Sequence, residues 1–233
     1  ATPEGVVHIE RSRFIWEERL FERLALTNYG ENDVSVPLAL SFGADFVDIF
    51  EVRGQARRRR GQLRPAVVRQ DHAALSYEGL DGQLRQCVVA FSRAPDHLQA
   101  DRAEFRVVLP RRTSEDIFVE VGSDLAESPG RRRFRACAAR ARLLMRRKRR
   151  RGARVRTWNN RFDRWLQRSR ADLALLETEL ETGPYPFAGI PWFSTPFGRD
   201  AVITALQMLW LDPSLARGVL SFLARHQARD VSA

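Results

Sequence analysis

Lysine is all but missing from these 233 residues, since Lys148 is the only one among 39 basic residues and the rest are arginine. Cysteine is nearly as scarce. Cys87 and Cys137 are too few and too widely spaced for a disulfide framework or a zinc knuckle. The four histidines, His8, His72, His97 and His226, show no metal-ligand spacing, so neither a metal nor another cofactor is implied. No apolar run approaches the ~20 residues that span a bilayer, and no signal peptide opens the chain. These absences exclude a disulfide-stapled secreted fold, a zinc module and a membrane partner. They leave a cytoplasmic protein as the expectation. The chain opens on Ala1 without an initiator methionine and stops just after a helical pattern, so a fragment of a longer protein is also expected.

What is abundant is arginine, and it is concentrated. The formal net charge is +10, but residues 131–170 alone hold eighteen basic residues against one acid, Asp163. The other 193 residues carry 21 basic and 28 acidic groups. Basicity therefore belongs to one segment and not to the whole surface. Arginine almost without lysine points to a sequence-wide bias as much as to selection for phosphate contacts.

Hydrophobic periodicity divides the chain. From Val6 to about Val121 the period is two. Val34, Val36, Leu38, Leu40 and Phe42 alternate with small or polar residues, as a strand with one buried face requires. Leu20, Leu24 and Leu26 share a face of the preceding strand, joined to it by a turn cluster over 28–33. Further strands are expected over 46–52, 66–69, 73–78, 84–91 and 104–109. Short strands at this spacing predict an antiparallel sandwich. After Pro129-Gly130 the period becomes helical: Phe134, Ala138, Ala141 and Met145 recur in the arginine-rich run, which Gly152 ends. Thr157 is the expected N-cap of a second helix, with a stripe of Trp158, Phe162, Trp165, Leu166, Leu173, Leu176 and Leu180, stopped by Gly183-Pro184. An apolar helix is expected over 199–211. Asp212 then caps another helix, with Pro213 at its first position. The predicted class is α+β with strands and helices segregated: a sandwich over 1–128, a basic linker helix over 129–156, and a helical part over 157–233.

Residues 185–200 carry the most chemistry. Pro186, Pro191 and Pro196, with Gly189 and Gly198, forbid a regular helix or a central strand there. Five aromatic residues, Tyr185, Phe187, Trp192, Phe193 and Phe197, precede or adjoin the charged pair Arg199-Asp200. Aromatic faces suit the C–H faces of a pyranose, and a fixed guanidinium and carboxylate can donate to and accept from vicinal hydroxyls. A plainer reading stands beside this one: Asp200 is a first-turn acid favoured by the helix dipole, and the aromatics are core.

The run from Pro191 to Asp200, continued through Ala201-Val202-Ile203-Thr204-Ala205-Leu206-Gln207 and Leu211-Asp212-Pro213, resembles the amylo-alpha-1,6-glucosidase/glycogen-debranching family. Residues 44–54, from Ala44-Asp45-Phe46 to Val52-Arg53-Gly54, resemble that family's N-terminal domain signature, and 166–176 resemble its linker into the catalytic domain. The resemblance implies a β-sandwich followed by the opening helices of an α/α-toroid of the glucoamylase-like clan. It implies that Arg199 and Asp200 hold the non-reducing glucose at the −1 subsite, with Trp192 and Phe193 as walls. An alpha-glucan or glucoside is the implied partner. The catalytic acid and base of the family come from later helices, so no catalytic residue is expected here and the chain alone should be inactive.

Other clusters are weaker. Asp45, Asp48 and Glu51 could suggest a metal or acid site, but a period-two strand disperses Asp48 and Glu51 to opposite faces. The run 57–60 reads most simply as a solvated loop, and the run 146–151 either contacts phosphates or belongs to a linker helix that packs through its alanine-rich face, with its arginines reaching acidic surface elsewhere. An alternative function is a non-catalytic basic protein using 131–170 for nucleic acid or another polyanion. Nucleic acid is the disfavoured partner, because 146–151 lacks interleaved aromatics for base stacking. Finally, if the toroid is incomplete, the apolar helix over 201–211 should lack packing partners, which predicts an exposed hydrophobic patch.

Overall fold

The computed structural model of the chain describes residues 5–228. Two compact units divide it, Ala1–Ala141 and Arg142–Ala233, and the helix over Arg131–Arg150 crosses from one to the other.

The first unit is built from antiparallel strands. In chain order these are β1 (Val7–Trp16), β2 (Arg19–Asn28), β3 (Val34–Ser41), a short helix α1 (Ile49–Val52), β4 (Gln62–Val68), β5 (His72–Glu78), β6 (Leu84–Phe91), β7 (His97–Leu98), β8 (Arg102–Leu109) and β9 (Ser114–Gly122). They form a six-stranded sheet, β1-β2-β9-β6-β5-β4, and a three-stranded sheet, β3-β8-β7. Alternation decides the register of burial. In β8, Ala103, Phe105, Val107 and Leu109 are buried while Arg102, Glu104 and Arg106 point away from the core. Those four meet Leu24 and Leu26 of β2, Val89 and Phe91 of β6, and Ile117 and Val119 of β9 in one continuous core between the sheets. Full burial of each large side chain contributes roughly 1.5–3 kcal/mol against the chain entropy it offsets.

The turn cluster over 28–33 is locked by Asn28. Its side chain is fully buried, yet Nδ2 donates to the carbonyls of Asn32 (2.9 Å), Leu109 (3.1 Å) and Pro110 (3.1 Å), and Oδ1 accepts from Gly30 N (2.8 Å). One amide thereby ties the β2–β3 turn to the end of β8. A buried amide with these partners costs little; one without them would cost about 1–3 kcal/mol.

The outer face of the large sheet is covered by the first turns of α2 (Arg131–Arg150). Phe134 packs on Phe14 (5.0 Å between ring centroids) and Phe118 (5.4 Å). Arginines at a helix N-terminus oppose the helix dipole, and here buried acids compensate. Arg133 makes a two-pronged bond to Glu120 (2.8 and 2.7 Å), and Arg131 reaches Asp116 (2.7 Å), which also accepts from Arg23.

The expected strand over 46–52 is not formed. Asp48 instead caps α1, accepting from the Phe50 and Glu51 backbones, while Glu51 accepts from the Asp48 backbone. This reciprocal capping box overrides the period-two reading, and it draws Asp48 and Glu51 together instead of dispersing them. Both acids then pair with arginine, Asp48 with Arg57 and Glu51 with Arg60. Among the described residues no group of three or more His, Cys, Asp or Glu could hold a metal ion.

The second unit contains the end of α2, then α3 (Asn160–Leu176), a hairpin of β10 (Glu177–Leu180) and β11 (Gly183–Pro186), α4 (Gly198–Met208) and α5 (Pro213–Arg225). Two boundaries differ from expectation. The N-cap of α3 is Asn159, and Thr157 instead binds Asp163 through its backbone N (3.0 Å) and Oγ1 (2.9 Å). The helix also ends at Leu176, so Leu180 lies in the hairpin, and Trp158 lies ahead of the helix, 95% exposed. The turn into β11 uses Gly183 at φ +111, a conformation glycine adopts freely. Asp212 and Pro213 open α5 as expected, with Ser214 N donating to the Asp212 carboxylate (3.1 Å).

The core of this unit is small-sided: fully buried Tyr185 packs with Ala201, Ala205, Ala216 and Val219. α5 crosses β11 closely at Gly218, where a Cβ would land on the carbonyl oxygen of Pro184. Arginines brace the rest. Arg151 Nε donates to Asp212 (2.5 Å), and its terminal nitrogens donate to Glu177. Arg170 donates to the carbonyls of Arg149 (3.0 Å), Arg151 (2.7 Å) and Ala153 (2.7 Å), satisfying the end of α2. Part of the arginine excess is therefore structural. Among the described residues no helix is long and apolar enough to cross a membrane.

Candidate functional site

The segment singled out for carbohydrate chemistry begins in a strand. Residues 183–186 form β11, paired to β10 in the register Thr178↔Tyr185, so the irregular loop starts only at Phe187. Tyr185 is not a surface aromatic. Its ring is fully buried against Phe222 (4.8 Å), and its hydroxyl donates to the carbonyl of Phe197 (3.2 Å). Phe187 packs at the edge of the same core, and its backbone N donates to Leu176 O (2.9 Å). A glycine-marked turn between two short runs was the available signal for this hairpin.

Beyond Phe187 the loop folds on itself. Gly189 and Phe193 exchange backbone bonds (3.4 and 2.9 Å) around a cis Ile190–Pro191 peptide, and Ser194 Oγ donates to Pro191 O (3.3 Å). The clasp leaves Trp192 and Phe193 each with about two-fifths of their surface in solvent. Phe193 meets Phe197 edge-on at 5.8 Å, which extends the ledge to the start of α4. Thus two of the five aromatics belong to the core and three to a surface ledge.

Arg199 and Asp200 occupy the first turn of α4. Phe197 takes the N-cap position without a side-chain bond, so the first backbone N–H groups of this helix are left without a capping side chain. Arg199 is exposed and Asp200 half-buried, and no ion pair among the described residues engages either. Asp200 lies near enough to Tyr185 that its charge, after burial, contributes to raising the tyrosine hydroxyl above its ordinary pKa. An acid and an adjacent arginine at a helix start, neither in an ion pair among the described residues, and with Phe197 of the ledge next to them in sequence, can bind a polyhydroxylated ligand: the carboxylate accepts from two hydroxyls and the guanidinium donates to their neighbours.

Comparison with known proteins bears on the chain at two scales. The family model described as the N-terminal domain of (some) glycogen debranching enzymes matches residues 1–120. No match is found among curated proteins. Among solved structures, the chain is similar to one described as "Putative kojibiose phosphorylase from human microbiome", with a TM-score of 0.62 and 10% identity over 95% of this chain and 32% of that one. At that identity the likeness shows the fold alone, and the chain spans about a third of that protein's length. A polysaccharide lyase aligns over 57% of this chain and 22% of its own, at 16% identity and a TM-score of 0.32, too low to carry an argument.

Proposed function

Since the chain belongs to the family of N-terminal domains found in some glycogen debranching enzymes, we propose that it is part of an enzyme acting on alpha-glucosidic bonds of glycogen or a related alpha-glucan. Residues 1–128 form the sandwich of that enzyme, 129–156 its linker, and 157–233 the opening helices of an α/α-toroid. Arg199 and Asp200 hold the non-reducing glucose, and Trp192 and Phe193 wall the subsite. The observation that carries this reading is the sequence of an exposed aromatic loop, Trp192 and Phe193, running through Phe197 into a helix start whose Arg199 and Asp200 no ion pair among the described residues engages.

Hydrolysis with inversion needs two carboxyls ~6.5–9.5 Å apart, flanking the scissile bond with room for water. Asp200 is a single acid in a binding arrangement, so the proton donor and base come from outside these residues. The chain alone therefore binds without hydrolysing. The substrate linkage proposed is alpha-1,6, the amylo-alpha-1,6-glucosidase reaction.

Titration of the chain with an alpha-1,6-branched glucotrisaccharide, followed by tryptophan fluorescence, tests the proposal. Saturable binding of order 1 mM is expected, equivalent to about 4 kcal/mol. Asp200→Asn and Arg199→Gln should each weaken it at least tenfold. Unchanged binding in both variants would overturn the assignment.

A further inference from the structure

Within the second unit, a concave surface of about 380 Å³ is lined by Arg149, Arg154, Arg156 and Arg170, together with Gln167 and Asp163. Its backbone frame is fixed at both ends. Ala153 N donates to Leu211 O (2.7 Å), and Ala153 O accepts from Arg170 (2.7 Å). Four residues on, Thr157 is held to Asp163 by two bonds. Arg154 and Arg156 therefore project from a short clamped segment. Arg170 is itself immobilised by its three carbonyl partners, so its charge is a fixed part of the wall.

The charge balance is the decisive point. Four arginines line the surface beside one carboxylate, and the Oδ1 of that carboxylate already accepts from Thr157. Elsewhere this chain sets arginine against buried acid, as in Arg133 with Glu120 and Arg151 with Glu177 and Asp212. Here no ion pair among the described residues engages Arg149, Arg154 or Arg156. Like charges lining one concave surface repel, and an anion with several oxygens relieves the repulsion while accepting from more than one guanidinium.

We propose that the cavity is a binding site for a phosphate dianion, either free or as a sugar phosphate monoester. The volume lies near the lower end of the ~300–1,000 Å³ usual for small-molecule clefts, which admits a sugar phosphate. A nucleic acid is the poorer fit, because no aromatic side chain lines the cavity to stack a base. The site is separate from the Arg199–Asp200 ledge and does not depend on the reading of that ledge.

The test is calorimetric titration of the full chain with inorganic phosphate and with glucose 6-phosphate, at ionic strength held constant with chloride. Saturable binding is expected. The double variant R154Q/R156Q should weaken it at least tenfold, whereas R146Q/R147Q, which removes the same charge from α2 outside the cavity, should change it less than twofold. Tighter binding of the sugar phosphate identifies a monoester site, and equal binding a free-phosphate site. Equal weakening in both double variants, or no saturation, overturns the proposal. So does a single-stranded oligonucleotide that binds with a steep salt dependence and loses affinity equally in both, since that marks a diffuse polyanion surface. If R154Q/R156Q does not fold, thermal unfolding of the unaltered chain decides: phosphate must raise the midpoint above that in equimolar-strength chloride, and an unchanged midpoint refutes the site.

Discussion

In the sandwich unit the fully sealed side chains are large: Phe91, Leu24, Leu26, Leu109, Ile117 and Val107 meet between two sheets. In the helical unit the core around Tyr185 is mostly alanine and valine, while Val202, Ile203, Leu206, Leu209 and Trp210 lie on the outside of α4 and beyond its end. The second unit also seals Tyr185, Leu211 and Leu215, but it leaves the large side chains of α4 in solvent and adds buried arginine–acid bonds through Arg151. One chain thus holds both a core closed between two sheets and a helix, α4, whose large apolar side chains lie in solvent.

The comparison is tested most severely in the sandwich. Phe91 is 2% exposed and packs edge-on against Phe105 at 5.6 Å. Phe91→Ala should destabilise this unit by about 3–5 kcal/mol, because the surrounding strands cannot collapse into the void. Chemical denaturation with segment-resolved hydrogen exchange measures it. A loss below ~1 kcal/mol would mean that the two-sheet core is not what holds the unit.

In the helical unit the matching experiment removes a charge. Arg151→Met strips Glu177 and Asp212 of their shared partner, and both acids are buried. Breaking a buried pair costs about 3–5 kcal/mol, and the low end applies here because Arg151 keeps about a quarter of its side chain in water. The pH dependence gives a second readout. Burial alone would raise the Asp212 pKa, but bonds from Ser214 and Arg151 outweigh it and hold the carboxyl below the usual range. A depressed folded-state pKa stabilises above the unfolded value and is lost as pH falls through the folded one. Stability of the helical unit should therefore fall on acidification below about pH 4, and Arg151→Met should flatten that slope. An unchanged acid limb would remove Arg151 from the account.

How much of this was legible beforehand depends on whether local signals agreed. The strand over 84–91 and the Asp212-Pro213 helix start appear as expected, because periodicity, capping chemistry and burial pointed the same way. The segment 46–52 misled because its aromatic and β-branched residues favour a strand, while Asp48 and Glu51 sit at capping-box spacing, and the local cap won. The hairpin over 177–186 was hidden by leucines at helical spacing: Leu173, Leu176 and Leu180 look continuous, although Leu180 pairs with Gly183 across a turn. For the candidate site, position was readable but partition was not. Nothing in a run of five aromatics distinguishes Tyr185, anchored by its hydroxyl to Phe197 O, from Trp192 on the surface. Which arginines are structural was likewise invisible, since Glu177 and Asp212 reach Arg151 from 26 and 61 residues away.

The smallest expected change in stability probes the outer face of α4. Large apolar side chains recur along α4 and just past its end, yet only Ala201 and Ala205 of α4 are buried, and Leu206 and Trp210 are 67% and 62% exposed. A contiguous patch of this kind should bind a hydrophobic dye strongly. Placing charge on it, with Leu206→Lys and Trp210→Lys together, should at least halve dye fluorescence. The unfolding free energy should move by no more than ~0.5 kcal/mol, because neither side chain is packed. The two readouts must separate for the contrast between the units to hold. If the double variant instead loses more than ~2 kcal/mol, as a core substitution would, then this face is packed within the chain, and the helical unit is as closed as the sandwich.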